Sequence, residues 1–494
     1  MDSNGFGVLN WLVLIVYLAA MLGVGIYFSK SSGKDTHAFF KAGGHIPGWA
    51  AGLSVYATTL SAITFMSIPE RAFLTDWTYA ASNITIIAIV PILLKFYIPF
   101  FRKLDVTTAY EYLEARFGVS LRLFGSIMFV LFHIGRIAIV IYLPTLAISS
   151  VSSLNPYLIA VCIGLLCIVY TYLGGMKGVI WSDVIQAIVL LGGALLIIFI
   201  GVYKIDGGWG TVLNDAVSNN KFVPNDAWKW SFHSATIPII FLGSIFNNLH
   251  QYTASQDVVQ RYTVTVDSKE TKRTLWTNAF FAAITIPVFF GIGTILYSYY
   301  TNVVPLADTV NTSAIVPYFV LTNFPAGIAG LVIAAILAAS QSTISSSLNS
   351  ISACIVVDIQ KRFFPGLKEV FSVKLARWVV LVTGLFGLLA SLYLIQTNQQ
   401  ETWDLFLAFV GLFGVPIAAI FALGIFTRRG NITGAWFGLI GSGLISYFLQ
   451  QADWNAFFIS LYAFISSLIL GYMFSLLFAK KTKDVTGLTV HSIK

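Results

Sequence analysis

The sequence predicts an all-α polytopic membrane protein with thirteen transmembrane helices, and three observations carry that prediction. Of 494 residues 57% are apolar and only 10% charged, against roughly 25% charged in an average soluble protein, and the mean hydropathy is +0.82. The apolar share is about 280 residues, enough for roughly a dozen spans of about 20 residues each. The 29 Lys and Arg also sort by side once thirteen helices are placed, as short cytoplasmic loops require.

Apolar windows of about 19 residues place helices near 6–29, 47–73, 78–100, 120–149, 156–174 and 179–203 in the first half of the chain. The second half adds 234–258, 274–301, 325–360, 372–396, 403–426, 432–450 and 455–479. With the N-terminus outside, 24 of the 29 basic residues fall inside, Arg116, Arg122 and Arg261 among them, and only Lys204, Lys221 and Lys229 fall outside. Arg71 and Arg136 remain within or at the end of spans. The termini therefore lie on opposite sides, with a cytoplasmic C-terminus, as in a multi-pass protein of the inner (plasma) membrane. Asp2 precedes the first apolar run, no Lys or Arg does, and no convincing cleavage site follows, so that run is a retained helix. The segment 107–117 (TTAYEYLEARF) has helical periodicity and too many charges to span, and it reads as a short interfacial helix on the cytoplasmic side. The tail 480–494 is polar and reads as disordered.

The net charge of +8 comes from scattered single residues and builds no nucleic-acid face. Cys162, Cys167 and Cys354 lie in apolar runs and read as small core residues. No phosphate loop, nucleophile elbow, haem motif or zinc spacing occurs, which argues against a pump or a membrane enzyme. No soluble domain interrupts the chain, as a sensor or receptor would require.

Polar groups at membrane depth are costly and tolerated chiefly where they face protein or a water-lined cavity, so they are informative. The second helix carries Tyr56-Ala57-Thr58-Thr59-Leu60-Ser61-Ala62-Ile63-Thr64 and the seventh carries Asn247 to Gln256 (NNLHQYTASQ). Each opens a block of five spans, 47–203 and 234–426. Polar interruptions at corresponding positions of two odd-numbered blocks mark an inverted-repeat transporter with discontinuous helices; the competing reading is Ser and Thr used for helix packing. A third run, Ser340 to Ser347, places hydroxyls on one helix face, suited either to sodium or to small-residue packing. Arg136 lies mid-span and cannot lose its proton, so it pairs with an anion, either a substrate or a protein carboxylate. Few acids lie at comparable depth, which favours the substrate. Asp183 binds a cation, caps its helix N-terminus or pairs with a base. His133 and His250 read as packed polar groups, and Glu70, Arg71 and Asp76 as gate or surface ion pairs.

Three runs and the thirteen-span pattern together carry a resemblance: ATTLSAITFMS, GGMKGVIWSDVIQ (174–186) and AASQSTISSSLNS (338–350). The chain resembles the sodium/solute symporter family over nearly its whole length. Within it, PGWAAGLSVYATTLSAITFMSIP (47–69), FHIGRIAIVIYL (132–143) and QYTASQDVVQRY (251–262) look most like the bacterial sodium/sialic acid symporters. That resemblance implies a LeuT-type fold: an extra N-terminal helix (6–29), inverted repeats at 47–203 and 234–426, two C-terminal helices within 432–479, and the tail. It implies a principal sodium site from the carbonyls of Ala57, Leu60 and Ala339 with the hydroxyls of Ser342 and Thr343. It implies a second from Ser342, Ser345, Ser346 and Asp183. The substrate, sialic acid (N-acetylneuraminate), would sit beside the broken helix, its carboxylate on Arg136 and its hydroxyl and amide groups on Thr59, Ser61, Thr64 and Asn83, with Tyr79 walling the pocket. Tyr79 and Asn83 stand where relatives carry Phe and Gln, and Thr343 where they carry Ser. The resulting expectation is sodium-coupled alternating access with two transported Na+ and no enzymatic activity, and a monomer is the working expectation. The rival substrates are proline, a neutral sugar or a vitamin carboxylate.

Overall fold

In the computed structural model, residues 6–397, 402–478 and 484–492 are described; Asp2, Lys480, Lys481, Lys483 and Lys494 of the charge argument lie outside them. Every regular element among them is helical. The principal ones are α1 (Val8–Ser32), α2 (Gly48–Thr59), α3 (Ala62–Leu74), α4 (Ala80–Ile92), α5 (Tyr110–Arg116), α6 (Val119–Ser150) and α7 (Pro156–Tyr203). They are followed by α8 (Ile237–Thr253), α9 (Gln256–Thr263), α10 (Ser268–Thr285), α11 (Gly291–Asn302) and α12 (Ile328–Ala353). The series closes with α13 (Glu369–Thr397), α14 (Thr402–Phe426), α15 (Ile432–Gln451) and α16 (Ala456–Leu477).

One consecutive pair forms a single bent span, and a second pair parts at a comparable polar break. α2 and α3 meet at a bend of 64°, where Leu60 and Ser61 leave helical geometry for the extended region. Ser61 then caps α3 by accepting from the Thr64 amide, the ordinary way a helix start satisfies an orphan donor. α8 and α9 part at Ala254 and Ser255. Both breaks fall inside the polar runs that the sequence marks, because side-chain oxygens there can satisfy backbone groups that lipid cannot.

α7 is 48 residues long, roughly 70 Å at 1.5 Å per residue, more than twice the thickness of a bilayer's hydrocarbon core of about 30 Å. It is long enough for two crossings and kinks at Gly175 (φ 52°, ψ −158°), a conformation essentially reserved for glycine. The two separate helices expected at 156–174 and 179–203 are thus joined through one residue rather than a loop. Proline marks two of the three π-helical stretches, Pro91 just ahead of Leu93–Tyr97 and Pro287 within Ile286–Phe290, since its missing N–H breaks the i→i−4 ladder.

Burial ranks the helices from rim to centre. α1 buries 22% of its most apolar window, whereas the stretch containing α12 buries 89%, so the hydroxyl-rich run sits at the axis of the molecule. The short helix expected within 107–117 forms as α5 and packs against the protein: Tyr110, Tyr112, Leu113 and Arg116 are buried, and Arg116 donates to the carbonyls of Gly424 and Thr427. The expectation of a disordered tail is corrected. The segment 484–492 is packed rather than free, with Leu488 accepting from Tyr112 Oη at 2.9 Å and the Val490 amide bonded to Ile425.

Gly175→Ala forces an L residue into the glycine-only region, at a cost of about 1–3 kcal/mol, and sets its Cβ 3.0 Å from the Phe39 carbonyl oxygen. Thermal unfolding of the detergent-purified protein should show a clear fall for this variant. Gly192→Ala, where an added Cβ meets nothing within 4 Å, should show almost none.

Candidate functional site

The α2–α3 break opens one side of a cavity of about 1030 Å³. All six residues assigned to substrate line it: Thr59, Ser61, Thr64, Tyr79, Asn83 and Arg136. α8 faces them with Asn247, Asn248, His250, Gln251 and Tyr252, and the cavity extends along α3 past Glu70 and Arg71 to Thr75 and Trp454. Its wall mixes hydroxyls, amides and aromatic rings with few charges, which suits a ligand rich in hydroxyl and amide groups. At the rim the Arg71 guanidinium lies 3.8 Å above the Tyr79 ring. Glu70 accepts from Thr312, and Asp76 accepts from the Thr78 amide. The contacts these three residues make are thus a cation–π contact and hydrogen bonds to the two carboxyl groups.

Behind the break, α2 and α12 bring hydroxyls and carbonyls together. Ser342 Oγ donates to the Ala57 carbonyl at 2.8 Å and approaches that of Ala339 at 3.2 Å. Thr343 Oγ1 lies 3.4 Å from the Thr58 carbonyl and 3.3 Å from that of Ala339. Leu60, in extended geometry at the break, shares the cavity wall. Among the described residues no cluster of three His, Cys, Asp or Glu converges, so a cation held here is bound by neutral hard oxygens, a donor set suited to an alkali or alkaline-earth ion and not to zinc or copper. Ser345 Oγ donates to the Ser342 carbonyl, and Ser346 Oγ is 2.9 Å from Thr58 Oγ1.

The charged residues are arranged differently from the sequence expectation. Arg136 does have a protein anion: its Nη1 is 3.1 Å from Asp257 Oδ2, and its Nη2 donates to the Thr58 carbonyl at 3.1 Å. Asp183 pairs with a base, Arg261, at 2.9 Å, both fully buried, and it accepts from Ser54. Arg261, counted above among the cytoplasmic loop charges, lies in the protein interior, donating to Ser54, Ser346 and the Asp257 carbonyl as well. These acids and bases alternate, so the region carries no net charge while every member is paired. Asp257 and Arg261 were missed because they follow the assumed end of a span at 258 or sit just before it. Their i, i+4 spacing within QDVVQR, immediately after the second polar run, is the signal that identifies them. His133 is packed as expected, bonded to Ser347 at 2.8 Å, whereas His250 lines the cavity.

Comparison with known proteins gives concordant findings. The family model described as the sodium:solute symporter family matches residues 39–442. The sodium/sialic acid symporter SiaT of Proteus mirabilis is 48% identical over 485 residues, covering 97% of each chain. The sodium/sialic acid symporter NanT of Aliivibrio fischeri is 47% identical over 475 residues, 96% of this chain and 94% of that one. A solved structure described as the substrate-bound outward-open state of a Na+-coupled sialic acid symporter superposes with a TM-score of 0.92 at 48% identity, covering 97% of this chain and all of that one.

A buried pair is most revealing when only one partner is removed. Arg261→Met leaves the Asp183 carboxylate buried and unpaired, an error worth about 3–5 kcal/mol. Adding Asp183→Leu should recover much of that loss, so thermal unfolding of the two single variants and the double should give a strongly non-additive cycle.

Proposed function

Because the chain belongs to the sodium:solute symporter family, we propose that it imports sialic acid (N-acetylneuraminate) together with sodium by alternating access in a LeuT-type fold. One observation supports this most directly: the break at Leu60 and Ser61 presents hydroxyl side chains to a cavity on one face and backbone carbonyls to the α12 hydroxyls on the other. Ion and solute thus meet on the same few residues.

On this reading the principal sodium site is the set Ala57, Leu60, Ala339, Ser342 and Thr343. The ion displaces the Ser342 and Thr343 hydroxyl protons from the carbonyls they now face. A second sodium takes Asp183 with Ser342, Ser345 and Ser346. The substrate carboxylate is received by Arg136, whose guanidinium has five N–H donors and uses two of them in the contacts above, so the anion can bind without expelling Asp257. Thr59, Ser61, Thr64 and Asn83 meet the sugar's hydroxyl and N-acetyl groups beside Tyr79. In the inner membrane, the concentration of Lys and Arg on one side supports an external N-terminus and a cytoplasmic C-terminus. The cavity mouth at Thr75 and Trp454 then faces outward. Sodium orders the broken helix, completes the pocket for the anion and licenses closure and inward opening. The repeats 47–203 and 234–426 supply the two bodies that rock past each other.

Uptake of labelled N-acetylneuraminate into proteoliposomes tests this reading. An inward sodium gradient should drive accumulation, and an inside-negative potential should speed it, since one net positive charge per cycle gains about 2.3 kcal/mol per 100 mV. Absence of uptake by folded, sodium-binding protein would refute the substrate, and indifference to the potential would refute the second sodium. Ser342→Ala should raise the sodium concentration for half-maximal uptake about tenfold, equivalent to about 1.4 kcal/mol. Thr343→Ser, which keeps the hydroxyl, should remain within about twofold of the parent, well under that tenfold step.

A further inference from the structure

The proposed ion and solute sites are bridged by two residues that belong to neither, Asp257 and Arg261, and we infer that these are the positioning residues through which sodium binding strengthens the grip on the substrate carboxylate. The inference rests on the function proposed above and adds the route by which its two sites communicate.

The route is a continuous set of hydrogen bonds. At one end Arg261, fully buried, holds Asp183 at 2.9 Å through Nη2, Ser54 at 2.8 Å through Nε, and Ser346. These contacts bind it to α7, α2 and α12, the walls of the hydroxyl cluster. Its remaining Nη1 donates to the backbone carbonyl of Asp257. Asp257 in turn fixes Arg136: Oδ1 is locked by the Ser255 hydroxyl and the Val258 amide at 3.0 Å, and Oδ2 faces Arg136 Nη1 at 3.1 Å. Arg136 opens onto the cavity. A cation arriving among Asp183 and Ser346 meets Arg261 as a like charge bound to the same oxygens. Any shift of that guanidinium acts directly on the residue that aims Arg136.

Packing alone accounts poorly for these groups. Buried ion pairs in a protein interior are on average no better than apolar residues of similar volume, and ionisable side chains at membrane depth are costly enough to mark function. The pairs also join separate helices: α9 to α7 through Arg261 and to α6 through Asp257. Asp183 Oδ1 has no hydrogen-bond partner, so its carboxylate retains an unused acceptor.

The measurable quantity is the ratio of N-acetylneuraminate dissociation constants measured in potassium and in sodium on the full-length protein in detergent. Coupled sites typically give ratios of about 5 to 150. Asp257→Asn keeps the shape and removes the charge that holds Arg136, and it should bring the ratio to within about twofold of unity, far outside the coupled range. Ser54→Ala keeps all four charges but removes the acceptor of Arg261 Nε, and it should lower the ratio several-fold. A merely structural role would lower the unfolding temperature and leave the ratio unchanged, and that outcome in either folded variant overturns the inference. If Asp257→Asn does not fold, Ser54→Ala decides alone. By reciprocity, the effect of N-acetylneuraminate on sodium affinity should fall by the same factor. A parent protein whose ratio is already unity would instead refute the proposed function and is distinguished by being measured first.

Discussion

Arg136 ties together the two places where the membrane-spanning backbone is broken. One Nη donates to the Thr58 carbonyl beside the first break, and the other pairs with Asp257 just beyond the second. A guanidinium serves here because it stays charged in any accessible environment and offers several rigidly placed donors. Without such a link, the interrupted helices would expose carbonyls that the surrounding apolar core cannot satisfy. The cavity and the hydroxyl cluster both take their shape from the helix ends held at this point.

The polar interior follows from that constraint. Once a helix is interrupted, its freed groups need partners, and α12 supplies them as a row of hydroxyls at the centre of the molecule. Neutral oxygens interact weakly enough to release an ion and closely enough to select a hard cation. Satisfaction is incomplete: Ser340 Oγ, Gln341 Nε2 and Asp183 Oδ1 are buried without a partner. Such groups raise the energy of a static core.

The sequence carries a good part of this. Apolar stretches and the two polar interruptions lead to the long apolar helices, the breaks and the cavity residues from Thr59 to Asn83, because each is a local property of composition along the chain. It fails where an interaction is decided between distant helices. Arg261 looks like a loop charge until α9 is seen to turn inward after Ser255, and Asp257 looks unremarkable until it meets Arg136 across the bundle. α5 and the segment around Leu488 look amphipathic or free, since nothing local reveals the bonds from Tyr112 to Leu488 and from Arg116 to Gly424.

By itself the sequence determined that the chain lives in a membrane, where its helices run and which spans cannot be regular. Those conclusions need only the cost of placing polar or apolar groups in hydrocarbon, which is paid residue by residue. The tertiary structure decided how the buried charges pair. Coulomb interaction depends on separation and on the dielectric around both partners, so the pairing of Asp183 with Arg261 becomes visible only when the fold of α7 and α9 brings their side-chain atoms to 2.9 Å of one another.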